Sequence, residues 1–279
     1  MKIYKKGKEA IIEQGNQYYT RQVGDWDTFI NRKNLYQALL QDIDGLAPSG
    51  DITLTETNEA PIGTQEIWAS GVTYMRSKEA RMEESKKSGG DTFYDKVYDA
   101  ERPELFFKAM ANRTVGNGGT VNIRKDSKWD VPEPELTLFI SSEGTIEGYS
   151  VGNDMSSRSI EGENPLYLPQ AKVYDRCAGL GPCIYVPEKP IDPDTEIELV
   201  ILRNGKEAFQ GKIPISNMKR SHTELVDFLF RECDFPNGCF LMTGTGLVPS
   251  DDFTLQVGDE IRISIDHIGT LVNFVSKKN

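Results

Sequence analysis

The chain has 279 residues, of which 38% are hydrophobic and 27% are charged, and its formal net charge is −11. This length is enough for one large domain or two unequal ones, and the composition is typical of a soluble globular protein. The acidic balance argues against a nucleic-acid partner, and no apolar run approaches the roughly 18 residues of a membrane-spanning helix. The basic start MKIYKKGKEA lacks the apolar stretch of a secretory signal, and the four cysteines lack zinc-site spacing. We therefore expect a cytoplasmic protein with reduced, buried thiols.

The first 64 residues lack the closely spaced strand-like segments of the rest of the chain, and they predict a small N-terminal α+β module. Within residues 31–41, Leu35, Ala38 and Leu39 recur at helical spacing. DITLTE (51–56) indicates a strand, and the loop-like TNEAPIGT (57–64) follows it. The boundary is accordingly expected at this loop, with a catalytic domain over residues 65–279.

From residue 65 onward the sequence consists mainly of short strand-like segments. These are IWASGVTY, ELFFKAM, TVNIR, ELTLFI, IEGYSVG, CIYV, IELVILR, EAFQGKI, CFLMT, EIRISI and LVNFV. Asn204-Gly205 is typical of a hairpin turn. Residues 77–99 form a charged amphipathic stretch broken at Gly89-Gly90, and residues 221–232 form a helix that begins with a capping box, Ser221 and Glu224. The pattern predicts an α+β architecture, mainly β, with a sandwiched or rolled mixed sheet.

Glu133-Pro134-Glu135 opens one of these strands. Residues two apart on a strand face the same side, so both carboxylates can reach one ion. Asp154 ends the following strand, where a hairpin partner returns to the same end of the sheet. Three carboxylates without His or Cys select a hard cation, namely Mg²⁺, Mn²⁺ or Ca²⁺.

Lys172 lies 18 residues beyond Asp154. It is either an ordinary solvated lysine or a lysine beside the ion, whose charge would lower the pKa of the amine. The spacing alone leaves both readings open. The Gly-rich TGTG (243–246) is typical of a tight turn and is not a phosphate loop, because no G-K-[ST] follows.

Several separate motifs resemble the core of the fumarylacetoacetate hydrolase superfamily. They are EPELTLFI, GYSVGNDMSSR, KVYDRCAGLGPCI, TGTGLV and VGDEIRISIDHIGTLVN, in order over roughly residues 65–279. The resemblance implies a mixed β-roll core, a divalent metal on Glu133, Glu135 and Asp154, and Lys172 at the active site. It also suggests a homodimer or homotetramer.

One departure from that superfamily concerns water activation. Its hydrolases usually carry a G-x-N-Y-x-x-H-x-x-E motif, whose His and Glu form a dyad. In the matching stretch, the two positions hold Ser77 and Ala80. His222 and His267, the histidines of the chain, are interpreted as structural or surface residues. A His–Glu base for hydrolysis is therefore not expected.

VYDAERPELFFKA and ENPLYLPQAK resemble a branch of the same superfamily, the 2-keto-3-deoxy-D-arabinonate dehydratases. The resemblance implies a metal-dependent lyase that converts 2-dehydro-3-deoxy-D-arabinonate to 2,5-dioxopentanoate, with Lys172 as base and Glu104 as acid. Thr270 with its neighbour Gly269, and Arg76, are candidate groups for binding the substrate carboxylate. The alternatives left open are a C–C bond hydrolase of an acylpyruvate, another metal-enolate reaction, and a catalytically silent binding protein.

Overall fold

The computed structural model describes residues 1–50, 59–85 and 96–278. The strands among these residues are, in chain order, β1 Lys2–Lys6, β2 Glu9–Gln14, β3 Gln17–Gln22, β4 Glu66–Gly71, β5 Glu104–Met110, β6 Thr114–Val115, β7 Thr120–Ile123, β8 Asp130–Val131, β9 Pro134–Ile140, β10 Ile146–Asp154, β11 Ser156–Ser157, β12 Ala178–Tyr185, β13 Glu196–Arg203, β14 Lys206–Pro214, β15 Cys239–Met242, β16 Glu260–Ile265 and β17 Gly269–Lys277. The α-helices whose two ends are both given among these residues are α1 Trp26–Ile30, α2 Leu35–Ile43, α3 Met75–Ser85, α4 Arg158–Glu163, α5 Leu168–Lys172 and α6 His222–Leu229.

Two large sheets form a sandwich, which agrees with the predicted mainly-β fold. The larger sheet has the order β3-β2-β1-β12-β10-β9-β15-β4-β5, with β6 beside β12, and the second has the order β14-β13-β16-β17-β7. Strand alternation sends Leu136 and Leu138 of β9 into the core between the sheets, while Phe139 packs into a second core on the opposite face. Helices α1 and α2 contribute to that second core.

The N-terminal strands β1–β3 extend the larger sheet. Strand β1 pairs antiparallel with β12, with Lys2 opposite Tyr185. The amino group of Met1 donates a hydrogen bond to the carbonyl oxygen of Val186 at 2.9 Å. Segments 1–50, 59–85 and 96–278 thus share a sheet and a core, and the boundary at residues 64 and 65 stays a prediction about an independent folding unit.

The strand predictions from residue 65 onward are close to the observed bounds, whereas several N-terminal and helical ones differ. Strands β1–β3 were missed, and α2 begins at Leu35 rather than at residue 31. Ser221 caps α6 as expected, because its hydroxyl accepts a hydrogen bond from the backbone N–H of Glu224 at 3.1 Å. The predicted strand at 51–56 and the break at Gly89-Gly90 lie outside the described residues.

The hairpin and cysteine expectations can be compared directly. Asn204 and Gly205 both have positive φ, 53° and 72°, in the turn between β13 and β14. The four cysteines are free, but Cys233 is exposed, unlike the other three. No helix of the described segments has both the length and the apolar character needed to cross a membrane.

Candidate active site

Three buried carboxylates converge at one end of the β9–β10 hairpin. Glu133 immediately precedes β9, Glu135 is its second residue, and Asp154 is the last residue of β10. The backbone pairs Gly152 with Glu135, and the N–H of Asp154 donates to the carbonyl of Glu133 at 2.9 Å. Ligand oxygens of the three side chains all lie within 4.8 Å of one another. The predicted triad is therefore brought together, on the face of the sheet opposite the sandwich core.

The electrostatic environments of the carboxylates are unequal. Burial raises the pKa of Glu135 well above its usual value, and the charges of Asp154 and Glu133 raise it further. Burial also disfavours the charged form of Glu133, but Lys172 and Arg158 outweigh burial and hold its pKa below the usual range. Because like charges are crowded here, the arrangement favours neutralisation by a proton or a cation.

Lys172 is fully buried at the last residue of α5. Its ammonium donates hydrogen bonds to Glu133 Oε2 at 2.6 Å, Asp154 Oδ2 at 3.1 Å and Ser156 Oγ at 2.6 Å. The lysine is thus beside the carboxylates and not on the surface. Burial acts to lower its pKa, but Asp154 and Glu133 raise it, and the net direction is upward. The upward shift in the pKa of Lys172 is opposite to the direction expected from the sequence. That expectation took into account the charge of a bound ion but not the charges of the carboxylates.

Two further buried cationic side chains, which were not predicted from the sequence, contact the carboxylates. Lys108 Nζ lies 2.5 Å from Asp154 Oδ1, and Arg158 Nη2 donates to Glu133 Oε1 at 2.7 Å. Each of these carboxylates therefore has one oxygen near Lys172 and the other near a different cation. The sequence carried only a weak signal for Lys108, namely that it shares a strand with Glu104.

Glu104 begins β5 and lies against Gly71 of the paired strand β4. Its Oε2 atom is buried and accepts no hydrogen bond within the described part of the chain. Burial raises the pKa of Glu104, partly offset by Arg81. A Cβ on Gly71 would lie only 2.1 Å from Oε2, so the missing side chain of Gly71 makes room for the carboxyl group. Gly71 itself lines the cleft over the carboxylates, whereas Glu104 is next to Gly71 but is not one of the lining residues.

Gly244 of the TGTG turn also lines this cleft. Its backbone N–H donates to Glu135 Oε2 at 2.5 Å. The φ of Gly244 is +94°, and a Cβ there would lie 2.0 Å from Thr73 Oγ1 and 2.9 Å from the carbonyl oxygen of Ser70. The turn is tight, as predicted, but it also orients one of the three carboxylates, which the sequence interpretation had not assigned to it.

The remaining predicted site residues are not found in this cleft. Arg76 is exposed on α3 and lies 3.8 Å from Glu79. Thr270 is exposed, and its hydroxyl shares a 2.8 Å hydrogen bond with Ser264 in the β16–β17 hairpin, beside the half-buried Gly269. The cleft lining includes Gly244 and Thr245 of the TGTG turn. Arg76, Gly269 and Thr270 therefore have no contact here that supports the predicted binding of a substrate carboxylate.

This geometry can be compared with known families. A model described as the fumarylacetoacetate (FAA) hydrolase C-terminal domain matches residues 66–276. The chain belongs to the fumarylacetoacetate hydrolase family.

Relatives within the fumarylacetoacetate hydrolase family include dehydratases. A probable 2-keto-3-deoxyxylonate dehydratase of Haloferax volcanii is 52% identical over 217 residues, which are 77% of this chain and 74% of the relative. A 2-dehydro-3-deoxy-D-arabinonate dehydratase of Saccharolobus solfataricus is 42% identical over 245 residues, 87% of this chain and 80% of the relative. A solved structure of 2-keto-3-deoxy-D-arabinonate dehydratase complexed with magnesium and 2,5-dioxopentanoate superposes with a TM-score of 0.80 at 34% identity, covering 100% of this chain and 98% of that chain.

In this member of the fumarylacetoacetate hydrolase family, the positions of the hydrolase dyad cannot supply a base. Ser77 Oγ donates to the carbonyl of Tyr74 at 2.8 Å, as a serine in the first turn of a helix commonly does. Ala80 is buried against the same region. The histidines do not replace the dyad, since His222 and His267 are outside the cleft lining. Burial lowers the pKa of His222 to about 4, and the ring of His267 stacks on that of Tyr185.

The donor set fits a hard divalent cation. Three carboxylates supply oxygen ligands only, and Asp154 Oδ1 accepts no hydrogen bond from residues 1–50, 59–85 or 96–278, although Lys108 is near it. The ionisable groups of the site comprise four cations and five carboxyls: Arg81, Lys108, Arg158, Lys172, Glu104, Glu133, Glu135, Asp154 and Glu161. Their formal sum of −1, when all are ionised, becomes +1 with a divalent ion. An anionic substrate is then attracted locally in spite of the protein's net charge of −11.

Proposed function

We propose that this protein is a Mg²⁺-dependent hydro-lyase that removes water from a 2-keto-3-deoxy sugar acid, converting 2-dehydro-3-deoxy-D-arabinonate to 2,5-dioxopentanoate. The observation that carries the proposal is the position of a buried lysine, Lys172, within hydrogen-bond distance of two of the three carboxylates. The two dehydratase relatives and the magnesium complex of a dehydratase with 34% identity support the same reaction.

Glu133, Glu135 and Asp154 would hold the cation. When bound there, a divalent ion polarises the C2 carbonyl of a 2-keto acid and makes the C3 protons more acidic. We assign Lys172 as the base for the C3 proton, since its side chain ends among these ligands. The carboxylates alone raise the pKa of Lys172, and the charge of a bound divalent ion would act in the opposite direction and favour the neutral amine. Gly71, Gly244 and Thr245 of the cleft wall are the groups placed to enclose the substrate.

Glu104 is assigned the role of acid. The hydroxyl at C4 must leave as water, so it must receive a proton. Burial raises the pKa of Glu104 and favours its protonated form, and Gly71 leaves its carboxyl group close to the cleft. When one proton leaves C5 and one returns to C3, the C3–C4 alkene becomes a C4–C5 enol, and the proton held by Lys172 can be the one returned. Loss of the enol hydroxyl proton and gain of a proton at C4 then give the product aldehyde.

Dehydration fits this set of residues better than hydrolysis of an acylpyruvate does. Hydrolysis needs a base that activates water, whereas Ser77 and Ala80 occupy the dyad positions and neither is a base near neutral pH. Dehydration needs a base at C3 and an acid at C4, for which Lys172 and Glu104 suffice.

Product analysis tests the proposal. The purified protein with Mg²⁺ is given a 2-keto-3-deoxy pentonate, a hexonate homologue and an acylpyruvate in parallel, and the products are identified by mass spectrometry after carbonyl derivatisation. We expect 2,5-dioxopentanoate from the pentonate. Formation of pyruvate and a carboxylic acid from the acylpyruvate, with the sugar acids untouched, would replace the dehydratase assignment by the hydrolase one.

Two pairs of variants test the assigned roles. Lys172→Met and Glu104→Gln should each lower kcat by at least about 100-fold, the lower end of general acid–base contributions. Lys206→Met and Glu207→Gln make the same chemical changes at exposed positions of the β13–β14 hairpin and should leave kcat unchanged. A Lys172→Met variant with wild-type turnover would remove Lys172 from the mechanism.

The cellular and quaternary assignments belong to the same proposal. We propose a cytoplasmic enzyme that forms a homodimer or homotetramer, as the family resemblance suggests. Light scattering of the purified protein measures the mass of the assembly against the 31.3 kDa of one chain.

A further inference from the structure

We propose that Lys108 is a positioning residue for this reaction, fixing Lys172 relative to the carboxylates and acting on turnover through Lys172. The inference rests on the proposed function for the role of Lys172, but the placement of Lys108 itself can be tested without turnover.

An irregularity in the sheet sets the direction of Lys108. In the pairing of β4 with β5, Ile67 lies opposite Ala109 and Trp68 lies opposite Phe107, so Lys108 is the extra residue of a β-bulge. Bulges bend a strand and redirect a side chain, and they are frequent next to active sites. Without the bulge, the side chain at 108 would follow the regular alternation of β5.

The ammonium of Lys108 is completely buried and surrounded by acceptors. It donates to the carbonyl oxygens of Met155 at 2.9 Å and Lys172 at 2.6 Å, and it lies 2.5 Å from Asp154 Oδ1. Two of the three N–H donors of this ammonium are used by the carbonyls, and the carboxylate of Asp154 is its ion-pair partner. Its position is therefore determined by three contacts from two segments of the chain.

Both of these segments lead to the Lys172 ammonium. The first holds Asp154 and Ser156, which accept hydrogen bonds from Lys172 Nζ, and Met155 is the residue between them. The second is the C-terminus of α5, where Lys108 holds the carbonyl of Lys172 itself. Lys108 thus connects the backbone that carries the base to the backbone that carries two of its partners.

Neutralising Asp154 is not sufficient to explain this lysine. Asp154 already has Lys172 at its other oxygen, and two of the three acceptors around Lys108 are uncharged carbonyls. A buried ammonium is also costly to desolvate, and such groups are weak contributors to stability. A role in geometry accounts for the carbonyl contacts, which a role in charge alone does not.

A double-mutant cycle on turnover tests whether Lys108 acts through Lys172. The four proteins are wild type, Lys108→Met, Lys172→Met and the double variant, all assayed at saturating Mg²⁺. We expect Lys108→Met alone to lower kcat by about 100-fold, the cost of displacing a reacting group by about 1 Å. In the Lys172→Met background we expect a change of less than about threefold, because coupled residues are non-additive. Additive effects of the two substitutions would overturn the proposal.

Two measurements without turnover accompany the cycle. Crystal structures of wild type and Lys108→Met grown under one condition should show the distance from Lys172 Nζ to Ser156 Oγ lengthened beyond 3.5 Å in the variant. Mg²⁺ titration by calorimetry should show no weaker binding, since removing a positive charge beside Asp154 reduces the repulsion that a cation meets. An unmoved Lys172, or a loss of Mg²⁺ affinity with kcat preserved at saturation, would overturn the assignment.

Two controls separate this reading from others. Leu39→Ala, in the core of α2 away from the site, lowers stability without touching Lys172, and it should leave both kcat and Mg²⁺ affinity unchanged. Lys108→Gln keeps an N–H donor without the charge and provides a second variant in which the Lys172 distance is measured. If wild type fails to convert the sugar acid, the proposed function fails, whereas the crystallographic distance and the Mg²⁺ titration still judge Lys108.

Discussion

Gly71→Ala is expected to impair turnover by displacing Glu104. A Cβ at position 71 would lie 2.1 Å from Glu104 Oε2, while ordinary van der Waals contact begins at about 3.4 Å. The carboxyl group must therefore move by about 1.3 Å. The φ of Gly71 is not in the left-handed region, so alanine fits the backbone itself.

The size of the effect follows from that displacement. A misplacement of about 1 Å in a catalytic group costs on the order of 100-fold in rate, and complete loss of a general acid costs about 100- to 10,000-fold. We expect kcat of Gly71→Ala to fall by about 100-fold, and that of Glu104→Gln to fall at least as far. Affinity for Mg²⁺ should be retained, because neither residue is one of the three clustered carboxylates.

The assay is steady-state dehydration at saturating Mg²⁺, together with thermal unfolding to show that the variant is folded. Gly24→Ala is the matched control, since a Cβ there meets nothing within 4 Å and its φ is also outside the left-handed region. If Gly71→Ala turns over within about twofold of wild type, a factor worth only ~0.4 kcal/mol, the position of Glu104 is not critical and its assignment as the acid is wrong.

Three other outcomes are expected. Glu135→Ala should abolish Mg²⁺ binding in a calorimetric titration while circular dichroism shows an intact fold, and full retention of Mg²⁺ would rule out the triad as the metal site. Burial raises the pKa of Asp130 from 3.8 to about 6, so the contribution of this group to stability is complete below pH 3.8 and is lost as the pH rises through about 6. The Asp130→Asn variant should therefore have a higher melting temperature than wild type at pH 8 but not at pH 4. An equal difference in melting temperature at both pH values would contradict this. Asp27→Ala removes the carboxylate that accepts hydrogen bonds from Thr64 and, at 2.9 Å, from Gln65 Nε2. Denaturant titration should show a free energy of unfolding lower by about 2–4 kcal/mol, and kcat should be unchanged. A smaller loss of stability would mean that water replaces these hydrogen bonds.

The clustering of the three carboxylates could be predicted because its geometry is local. The spacing of Glu133 and Glu135 places both on one face of a strand, and the next strand in sequence returns Asp154 to the same end. The mainly-β fold was predictable because short strand-like segments dominate the sequence from residue 65 onward. The family resemblance added Lys172 and Glu104, which spacing alone would have left as ordinary residues.

The rest of the site depends on distant contacts. Lys108 and Asp154 are separated by 46 positions and Arg158 and Glu133 by 25, and nothing in the local pattern distinguishes these cations from the exposed lysines and arginines that are more common. Thr270 lies outside the cleft lining, which includes Thr245, and its role in binding a substrate carboxylate stays a prediction. The N-terminal strands were missed although they pair with their neighbours in sequence, through turns at Gly7 and Gly15, and only β1 pairs with the distant β12.

Strand β15 has a consequence for how the molecule assembles. Its four residues pair parallel with β4 on one side and antiparallel with β9 on the other. The β4–β5 hairpin carries Glu104 and Lys108, whereas the β9–β10 hairpin carries the carboxylates, so the two halves of the site share no sheet until residues 239–242 have been added. During synthesis the ribosome must therefore release most of the chain before Glu104 can come together with the three carboxylates. If the chain were cut between α6 and β15, the smaller, C-terminal fragment would contain none of the three carboxylates. The larger fragment would still need β15 from the smaller one to join the two halves of the site.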